Sequence, residues 1–218
     1  MTSKANRLST KLTVISIVAI IITSAIIGYF HRYLAINDLI TQGQKNNVIL
    51  TRITANLVLP EINSLKKTFT PHIDDYINIE NKIASIVKDT PVLKLKTYDL
   101  ERRVLYSTNR KEIGNIKKKG YDVDVTLETG KVVSTLSYRK RFQALQGDRD
   151  KIYVLSSYIP IYNNEHDITG AFEIYSDVSN AYEQISVSQT IFFVSVLITL
   201  ILTSLVLYFF IKLTENKV

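Results

Sequence analysis

Two stretches of the sequence contain neither a charged residue nor a histidine, and they constrain the fold more than any other feature. The first runs from Leu12 to Phe30 and the second from Thr190 to Ile211. An α-helix needs about 20 mostly apolar residues to cross the hydrocarbon core of a bilayer, and both stretches meet that length. A helix that is apolar all round is rarely found inside a domain of ordinary size. The sequence therefore predicts an integral membrane protein with two transmembrane helices.

Basic residues flank both stretches on their outer ends: Lys4, Arg7, Lys11, Lys212 and Lys217. Because cytoplasmic flanks are enriched in Lys and Arg, both termini are predicted to be cytoplasmic. The first stretch is interpreted as an uncleaved anchor, since bulky residues (29–33) follow it where a secretory signal would have a small-residue cleavage site.

The predicted organisation has five parts. They are a cytoplasmic tail (1–11), a first transmembrane helix (12–30), an extracytoplasmic domain (31–189), a second transmembrane helix (190–211) and a second cytoplasmic tail (212–218). About 159 residues between the helices are enough for one ordinary hydrophobic core.

Composition excludes several classes of function for the outer domain. Between the two helices there are 22 Lys and Arg and 19 Asp and Glu, a net charge of about +3. This balance gives no indication of nucleic-acid binding, which depends on clustered basic residues. The chain has no cysteine, so disulfides, thiolate metal sites and cysteine nucleophiles are all excluded.

The first part of the outer domain shows helical periodicity. Apolar residues recur mostly three or four positions apart: Ile36, Ile40, Ile49, Ile53, Leu57, Ile62, Leu65 and Phe69. This spacing predicts a long amphipathic helix. Gly43 weakens the prediction, and Pro60 is expected to kink or interrupt the helix, since proline lacks an amide donor. A second helix is predicted from Ile77 to Val87.

After Pro91 the pattern alternates as in β-strands. The predicted strands are 93–98, 103–107, 123–127, 132–142, 152–162 and 168–175, separated by clusters rich in Gly, Asn and Asp. A final helix is predicted to start within residues 177–180, which offer capping side chains, and Asn180 with Glu183 forms a candidate capping box. The fold class is therefore α+β, with an antiparallel sheet of about five strands, a long N-terminal helix, and a transmembrane helix on each side.

The order and spacing of short motifs in the outer domain resemble a known family. The motifs are 50–56 with Leu59-Pro60, 95–100, 106–108, Ile113-Gly114, 138–142, Asp150, 155–161 and 170–178. Together they resemble the single-Cache, PAS-like extracytoplasmic sensor region of bacterial receptors such as histidine kinases and diguanylate cyclases. The resemblance covers nearly all of residues 31–189.

This resemblance implies a membrane-anchored sensor module that binds a small ligand and biases its transmembrane helices. It places the protein in the bacterial inner (plasma) membrane with its folded domain periplasmic or extracellular. Seven residues follow Ile211, so no output domain and no enzymatic activity are expected within this sequence. The alternative is a truncated receptor that acts as a structural or protein-interaction module in the envelope.

The sequence gives little indication of metal binding or catalysis. The histidines are His31, His72 and His166, and none forms a helical pair four residues apart. His72 with Asp74 and Asp75 could ligate a cation. The same residues are also typical of a helix N-terminus, where acidic residues in the first turn interact favourably with the helix dipole. We expect no catalytic residue, no metal and no cofactor.

The predicted ligand site rests on the strand pair 132–142 and 152–162. Tyr138, Arg139, Arg141, Tyr153 and Tyr158 are its candidate residues. A guanidinium binds a carboxylate through two parallel hydrogen bonds, and a tyrosine hydroxyl can add a third. Residues two apart on a strand share a face, so Arg139 and Arg141 lie on one face and Tyr138 on the other. The arginines are expected to bind a ligand only if a helix or loop covers their face. Surface ion pairing and core packing are the alternatives for these residues.

The expected partners are the lipid bilayer, a small molecule such as a carboxylate, and either a second copy of the chain or a separate signalling protein. Dimerisation is predicted through the helical stripe of Ile49, Ile53 and Leu57. The alternative is that this stripe packs on the protein's own sheet.

Overall fold

The computed structural model describes residues 2–67 and 73–215. Its helices are α1 (Thr2–Lys67), α2 (Ile73–Val87), α3 (Asp122–Thr129) and α4 (Ser179–Glu215), with a 3-10 helix at Arg110–Glu112. Its strands are β1 (Val92–Tyr98), β2 (Val104–Ser107), β3 (Val133–Ala144), β4 (Gly147–Tyr162) and β5 (Ile168–Asp177).

The five strands form one sheet in the order β2-β1-β5-β4-β3, with every neighbouring pair antiparallel. The predicted α+β class, the five-stranded antiparallel sheet and the long helix before it are confirmed. The last strand in the chain, β5, lies at the centre of the sheet, between β1 and β4. Side chains on β5 therefore contact neighbours on both sides.

One face of the sheet packs on α1 and α2. Val58 and Ile62 of α1 and Ile79 and Ile83 of α2 are buried in the same cluster as Phe172 of β5. All five side chains expose no more than 1% of their surface, which makes this the main hydrophobic core. Helical spacing on α1 and α2 and strand alternation on β5 thus meet in one apolar layer.

The opposite face of the sheet is covered in part by α3. Val123 of α3 packs with Tyr98, Val104, Tyr158 and Ala171 in a second, smaller cluster. The prediction of a strand at 123–127 was wrong, because this segment lies inside α3. Capping explains the helix: the Asp124 carboxylate accepts from the amides of Gly120 and Tyr121 at 2.5 and 3.2 Å.

The helix predictions need smaller corrections. Helix α1 continues through Pro60 to Lys67, so the expected interruption does not occur. Val58 and Ile62 on either side of Pro60 are fully buried, and their packing offsets the single backbone hydrogen bond that proline removes. Helix α4 begins at Ser179, whose amide donates to Asp177 at 2.9 Å, so among the capping candidates at 177–180 it is Asp177 that makes this bond. Phe69 lies outside the described residues.

The chain divides into two compact units, one comprising Asp38–Tyr182 and the other the residues up to Asn37 with those from Glu183 onward. In the latter unit, Arg32 donates to Gln189 Oε1 at 2.7 Å, and Gly28 lies against the Phe193 ring. Two helical segments, Val14–Ile62 and Ser179–Phe210, are long and apolar enough to cross a membrane. Their most apolar windows are 6% and 0% buried, unlike the core helix of a soluble domain.

Candidate functional site

A buried carboxylate lies at the centre of the sheet, on the face opposite α1 and α2. Glu173 of β5 is 1% exposed and is paired in register with Lys96 of β1 and Tyr158 of β4. Its neighbours Phe172 and Ile174 point into the main core. Because a buried charge is costly unless it is paired and hydrogen-bonded, the groups around Glu173 decide what this face can do.

Tyrosine hydroxyls supply the hydrogen bonds. Tyr98 donates to Glu173 Oε2 at 2.5 Å, and Tyr158 donates to Glu173 Oε1. Tyr175, two residues further along β5, lies near enough to the same carboxylate to help lower its pKa. Burial, together with the negative charge of Glu173, raises the pKa of Tyr98, Tyr158 and Tyr175. The three phenols therefore stay neutral and remain donors at physiological pH.

Lysine side chains supply the positive charge. Lys117 Nζ lies 3.3 Å from Glu173 Oε1 and also donates to the Tyr158 hydroxyl, and Lys96 Nζ lies 3.9 Å from Glu173 Oε2. Burial raises the pKa of Glu173, but the charges of Lys117 and Lys96 and the tyrosine hydroxyls outweigh it and hold that pKa below its ordinary value. Glu173 is therefore ionised.

A second carboxylate fixes Lys96. Glu112, on the 3-10 helix, lies 3.1 Å from Lys96 Nζ and 3.3 Å from Lys94 Nζ, and accepts from Ser107 at 2.8 Å. Lys96 is thus held between two carboxylates and belongs to a strand. Lys117 differs, because it lies in the connection between the 3-10 helix and α3.

The segment that carries Lys117 and helix α3 cover the face of the sheet on which Glu173 lies, and Arg102 contacts both. Lys117 donates its amide to the Arg102 carbonyl at 3.1 Å, and the Arg102 guanidinium donates back to the Lys117 carbonyl at 3.2 Å. Arg102 also reaches Asp124 of α3 at 3.3 Å. Arg102 therefore links the segment that carries Lys117 to α3, in addition to the bonds from Gly120 and Tyr121 to Asp124. We call Glu173, Tyr98, Tyr158, Lys96 and Lys117 the Glu173 site.

Several solved structures of sensor, receptor and periplasmic domains are similar to this chain. The E. coli DcuS sensor domain is 18% identical, with 63% of this chain and 98% of that one covered and a TM-score of 0.35. The periplasmic domain of RsbU from Chlamydia trachomatis is 15% identical, with 67% and 58% covered and a TM-score of 0.32.

An extracellular ligand binding receptor from Desulfohalobium retbaense is 14% identical, with a TM-score of 0.35. The match covers 67% of this chain but only 26% of that receptor. No protein-family model and no curated protein sequence matches the chain.

The structure places the five predicted ligand-binding residues on two faces of the sheet. Ser157 bonds Asn47 of α1, so by alternation Tyr153 lies on the α1 side, together with its register partner Tyr138. Tyr158 lies on the opposite face with Arg139, whose charge opposes the rise in the pKa of Tyr158. The predicted residues do not converge on one point.

The exposed members of that set have surface roles. Arg139 and Arg141 are exposed, and Arg141 donates to Asp148 at 2.6 and 2.9 Å, which is the ion pairing considered from the sequence. Tyr138 is half-exposed and lies 5.2 Å from Tyr153, ring to ring. Tyr158 is the one member of the set that belongs to the Glu173 site. Ligand binding by the others stays a prediction.

Sequence reasoning did not select Glu173, Lys96 or Lys117. One signal was present: Glu173 is the single charge between Ala171, Phe172, Ile174 and Tyr175, in an otherwise buried strand. Lys117 carried no comparable signal, because a run of three lysines is typical of a solvated loop. Within residues 2–67 and 73–215, no group of three His, Asp or Glu side chains could hold a metal ion. His72 lies outside those residues.

A separate cavity of about 480 Å³ lies on the α1 side of the sheet. Its lining includes Thr51, Arg52 and Asn56 of α1 and Ile159 and Phe172 of the sheet. The buried Thr51 hydroxyl has no hydrogen-bond partner among the described residues. This cavity and the Glu173 site lie on opposite faces, so the side chains of each can be substituted separately.

Polar groups also connect α1 to the sheet. Asn47 is 1% exposed; it donates to Ser157 of β4 at 2.9 Å and accepts from Ser176 of β5 at 2.6 Å. Ser157 in turn accepts from Ser134 of β3 at 2.8 Å. We call Asn47, Ser134, Ser157 and Ser176 the Asn47 cluster. Ser157 is next to Tyr158 in the chain, so the cluster and the Glu173 site share strand β4.

Proposed function

We propose that this protein is a membrane-anchored extracytoplasmic sensor that binds a small ligand at the Glu173 site and transmits binding to its transmembrane helices. The ionised, buried Glu173 carries the proposal. A buried ion pair of this kind is weak evidence for stability, since apolar residues of equal volume usually serve a core as well or better. Buried charges with shifted pKa values, grouped beside a partly exposed lysine, are instead typical of a binding site.

Transmission would run through the sheet to α1. A ligand that preferred one arrangement of β4 and β5 would change the hydrogen bonds of the Asn47 cluster, and with them the position of α1 against the sheet. Such a population shift needs only a difference in affinity between two arrangements. Helices α1 and α4 contain the two segments long enough to cross a membrane. We propose that both do so.

The partner that we propose is a second copy of the chain. Ile49, Ile53 and Leu57 are 56%, 47% and 53% exposed, whereas Thr54 and Val58 are buried against the sheet. The alternative that the stripe packs on its own sheet was therefore wrong. Residues four apart form one face of α1, and membrane anchoring would hold two copies parallel so that these faces meet. A separate signalling protein is the other candidate for the stripe.

Ligand binding is tested by a thermal-shift screen of the full-length chain in detergent micelles with amines, amino acids, organic acids and nucleobases. Because a ligand that binds only the folded state raises its stability, we expect one class to raise the melting temperature by about 2–4 °C or more. Near-UV circular dichroism of the 13 tyrosines reports unfolding. A Thr51→Val variant, altered in the α1 cavity, should respond like the wild type. No shift with any class would contradict the proposal.

Transmission of ligand binding to α1 can be tested by cysteine cross-linking, because the chain has no cysteine of its own. Ile53→Cys should cross-link two copies in membranes, and the ligand from the screen should change the cross-linking rate several-fold. Adding Asn47→Ala should abolish that change while the ligand still raises the melting temperature. Asn46→Ala, an exposed neighbour, is the matched control. A ligand response that survives Asn47→Ala would exclude the Asn47 cluster as the route.

The alternative function, a structural or interaction module of the envelope, predicts different results. It requires no small-molecule response at the Glu173 site and a cross-linking rate independent of any ligand. The same two experiments therefore discriminate between sensing and a purely structural role.

A further inference from the structure

Lys117 occupies a cage of aromatic rings. Its Nζ lies 4.5 Å from the ring centroid of Tyr158, 5.6 Å from that of Tyr121 and 5.7 Å from that of Tyr98. The Glu173 carboxylate completes the cage, with its Oε1 3.3 Å from Lys117 Nζ. Three phenol rings and one carboxylate around a single nitrogen form an environment suited to an ammonium group and poorly suited to an anion.

The cage does not need Lys117 for its own charge balance. Lys96 also lies against Glu173 and over the Tyr175 ring, 5.5 Å from its centroid, and it is fixed to β1 and Glu112. Glu173 would therefore keep one cation if Lys117 left. Lys117 is the second cation, and it comes from a connecting segment, not from the sheet.

The cage is also open on the side of Lys117. The Lys117 side chain is 23% exposed and Tyr121 is 53% exposed, whereas Tyr98 and Tyr158 are buried. A molecule arriving from solvent would thus meet Lys117 and Tyr121 first. The backbone of Lys117 is bonded to Arg102, which reaches Asp124 of α3, so the segment stays attached while the Lys117 side chain moves.

We propose that the ligand of the Glu173 site is an alkylammonium compound and that Lys117 is its intramolecular stand-in. In the absence of ligand, the Lys117 ammonium fills the cage; the ligand ammonium replaces it and releases the Lys117 side chain to solvent. The inference rests on the proposed sensor function and adds the chemical class of the ligand. It differs from the carboxylate expected from the arginines of β3.

Competition with a tethered group sets a requirement on the ligand. A side chain attached to the same chain acts at an effective concentration of millimolar or above, so a simple amine competes poorly with Lys117. The physiological ligand must therefore gain further contacts beyond its ammonium. Removing Lys117 should make even a simple amine bind.

The test is chemical rescue of Lys117→Ala in the full-length chain in micelles. n-Propylamine, protonated at neutral pH, replaces the three methylenes and the nitrogen that the substitution removes. At about 50 mM it should raise the melting temperature of Lys117→Ala by about 2–4 °C and leave the wild type nearly unchanged. n-Propanol, of equal size but neutral, and propionate, of similar size but anionic, should not. Lys118→Ala, an exposed neighbour, is the matched control and should not respond.

Each other outcome overturns the inference. Equal rescue by propanol would mean that an apolar gap is filled and no ammonium is recognised. Equal response of Lys118→Ala, or no response of Lys117→Ala, would mean that the cage does not select amines. If Lys117→Ala is unfolded alone, the fraction that regains its near-UV signal with each compound gives the same comparison. If the screen finds a ligand of another class and propylamine does not rescue Lys117→Ala, the proposed sensor function stands and only the ammonium ligand is contradicted.

Discussion

Replacing Glu173 with Gln should lower the free energy of unfolding of the domain by about 3–5 kcal/mol, the cost typical of breaking a buried ion pair by removing one partner. The amide keeps the shape of the side chain but leaves Lys96 and Lys117 without their shared counter-charge, and it no longer accepts all the tyrosine donors. Urea unfolding followed by near-UV circular dichroism measures the loss. Glu165→Gln, in the exposed turn before β5, should change stability by less than about 0.5 kcal/mol.

The same variant should show a defined dependence on pH. Because the pKa of Glu173 in the folded protein lies below its ordinary value, its contribution is fully present above that ordinary value and is lost as pH falls through the lower, folded pKa. The gap between wild type and Glu173→Gln should therefore be constant near neutral pH and shrink under acid conditions. Glu112, whose pKa is also lowered, is present in both proteins, so both lose its contribution under acid conditions.

Two results would contradict this account of Glu173. A gap that widened as pH fell would mean that Glu173 is protonated in the folded protein. A stability loss no larger than that of Glu165→Gln would mean that the lysines and tyrosines do not depend on the carboxylate.

Alkaline phosphatase fused after residue 120 should be active, and the same enzyme fused after Val218 should be inactive. The enzyme gains its disulfides only outside the cytoplasm, so the expected difference is close to all-or-none. The prediction rests on Lys4, Arg7 and Lys11 before the first apolar stretch and on Lys212 and Lys217 after the second. Immunoblots of both fusions provide the control for expression.

The opposite pattern of activity, with both fusions stable, would place the Glu173 site in the cytoplasm. Replacing Lys4, Arg7 and Lys11 together with Gln should weaken the preference for this orientation, since these residues precede the first helix to be inserted. The substitution lies outside the folded domain and should leave its melting temperature unchanged.

The sequence alone determined the features that depend on local composition and period. The two apolar windows, the helical spacing of α1 and α2, and the alternation of β1, β3, β4 and β5 are each contained in a short run of residues. The α+β class and the five-stranded sheet followed from them. The segment 122–129 failed because Val123, Val125 and Leu127 alternate like a strand, while the bonds from Gly120 and Tyr121 to Asp124 that stabilise a helix appear only in three dimensions.

Tertiary structure alone decided the site. Glu173, Tyr98 and Lys117 lie far apart in the chain, and only the strand order β2-β1-β5-β4-β3 brings the first two together at the centre of the sheet. The sequence suggested the arginines of β3, since a run of aromatic and basic residues is visible locally, but β3 is an edge strand and Arg139 and Arg141 are exposed. The pKa and the position of a charged side chain depend on the groups that surround it. Those groups are brought together by pairing between distant strands, which no local pattern encodes.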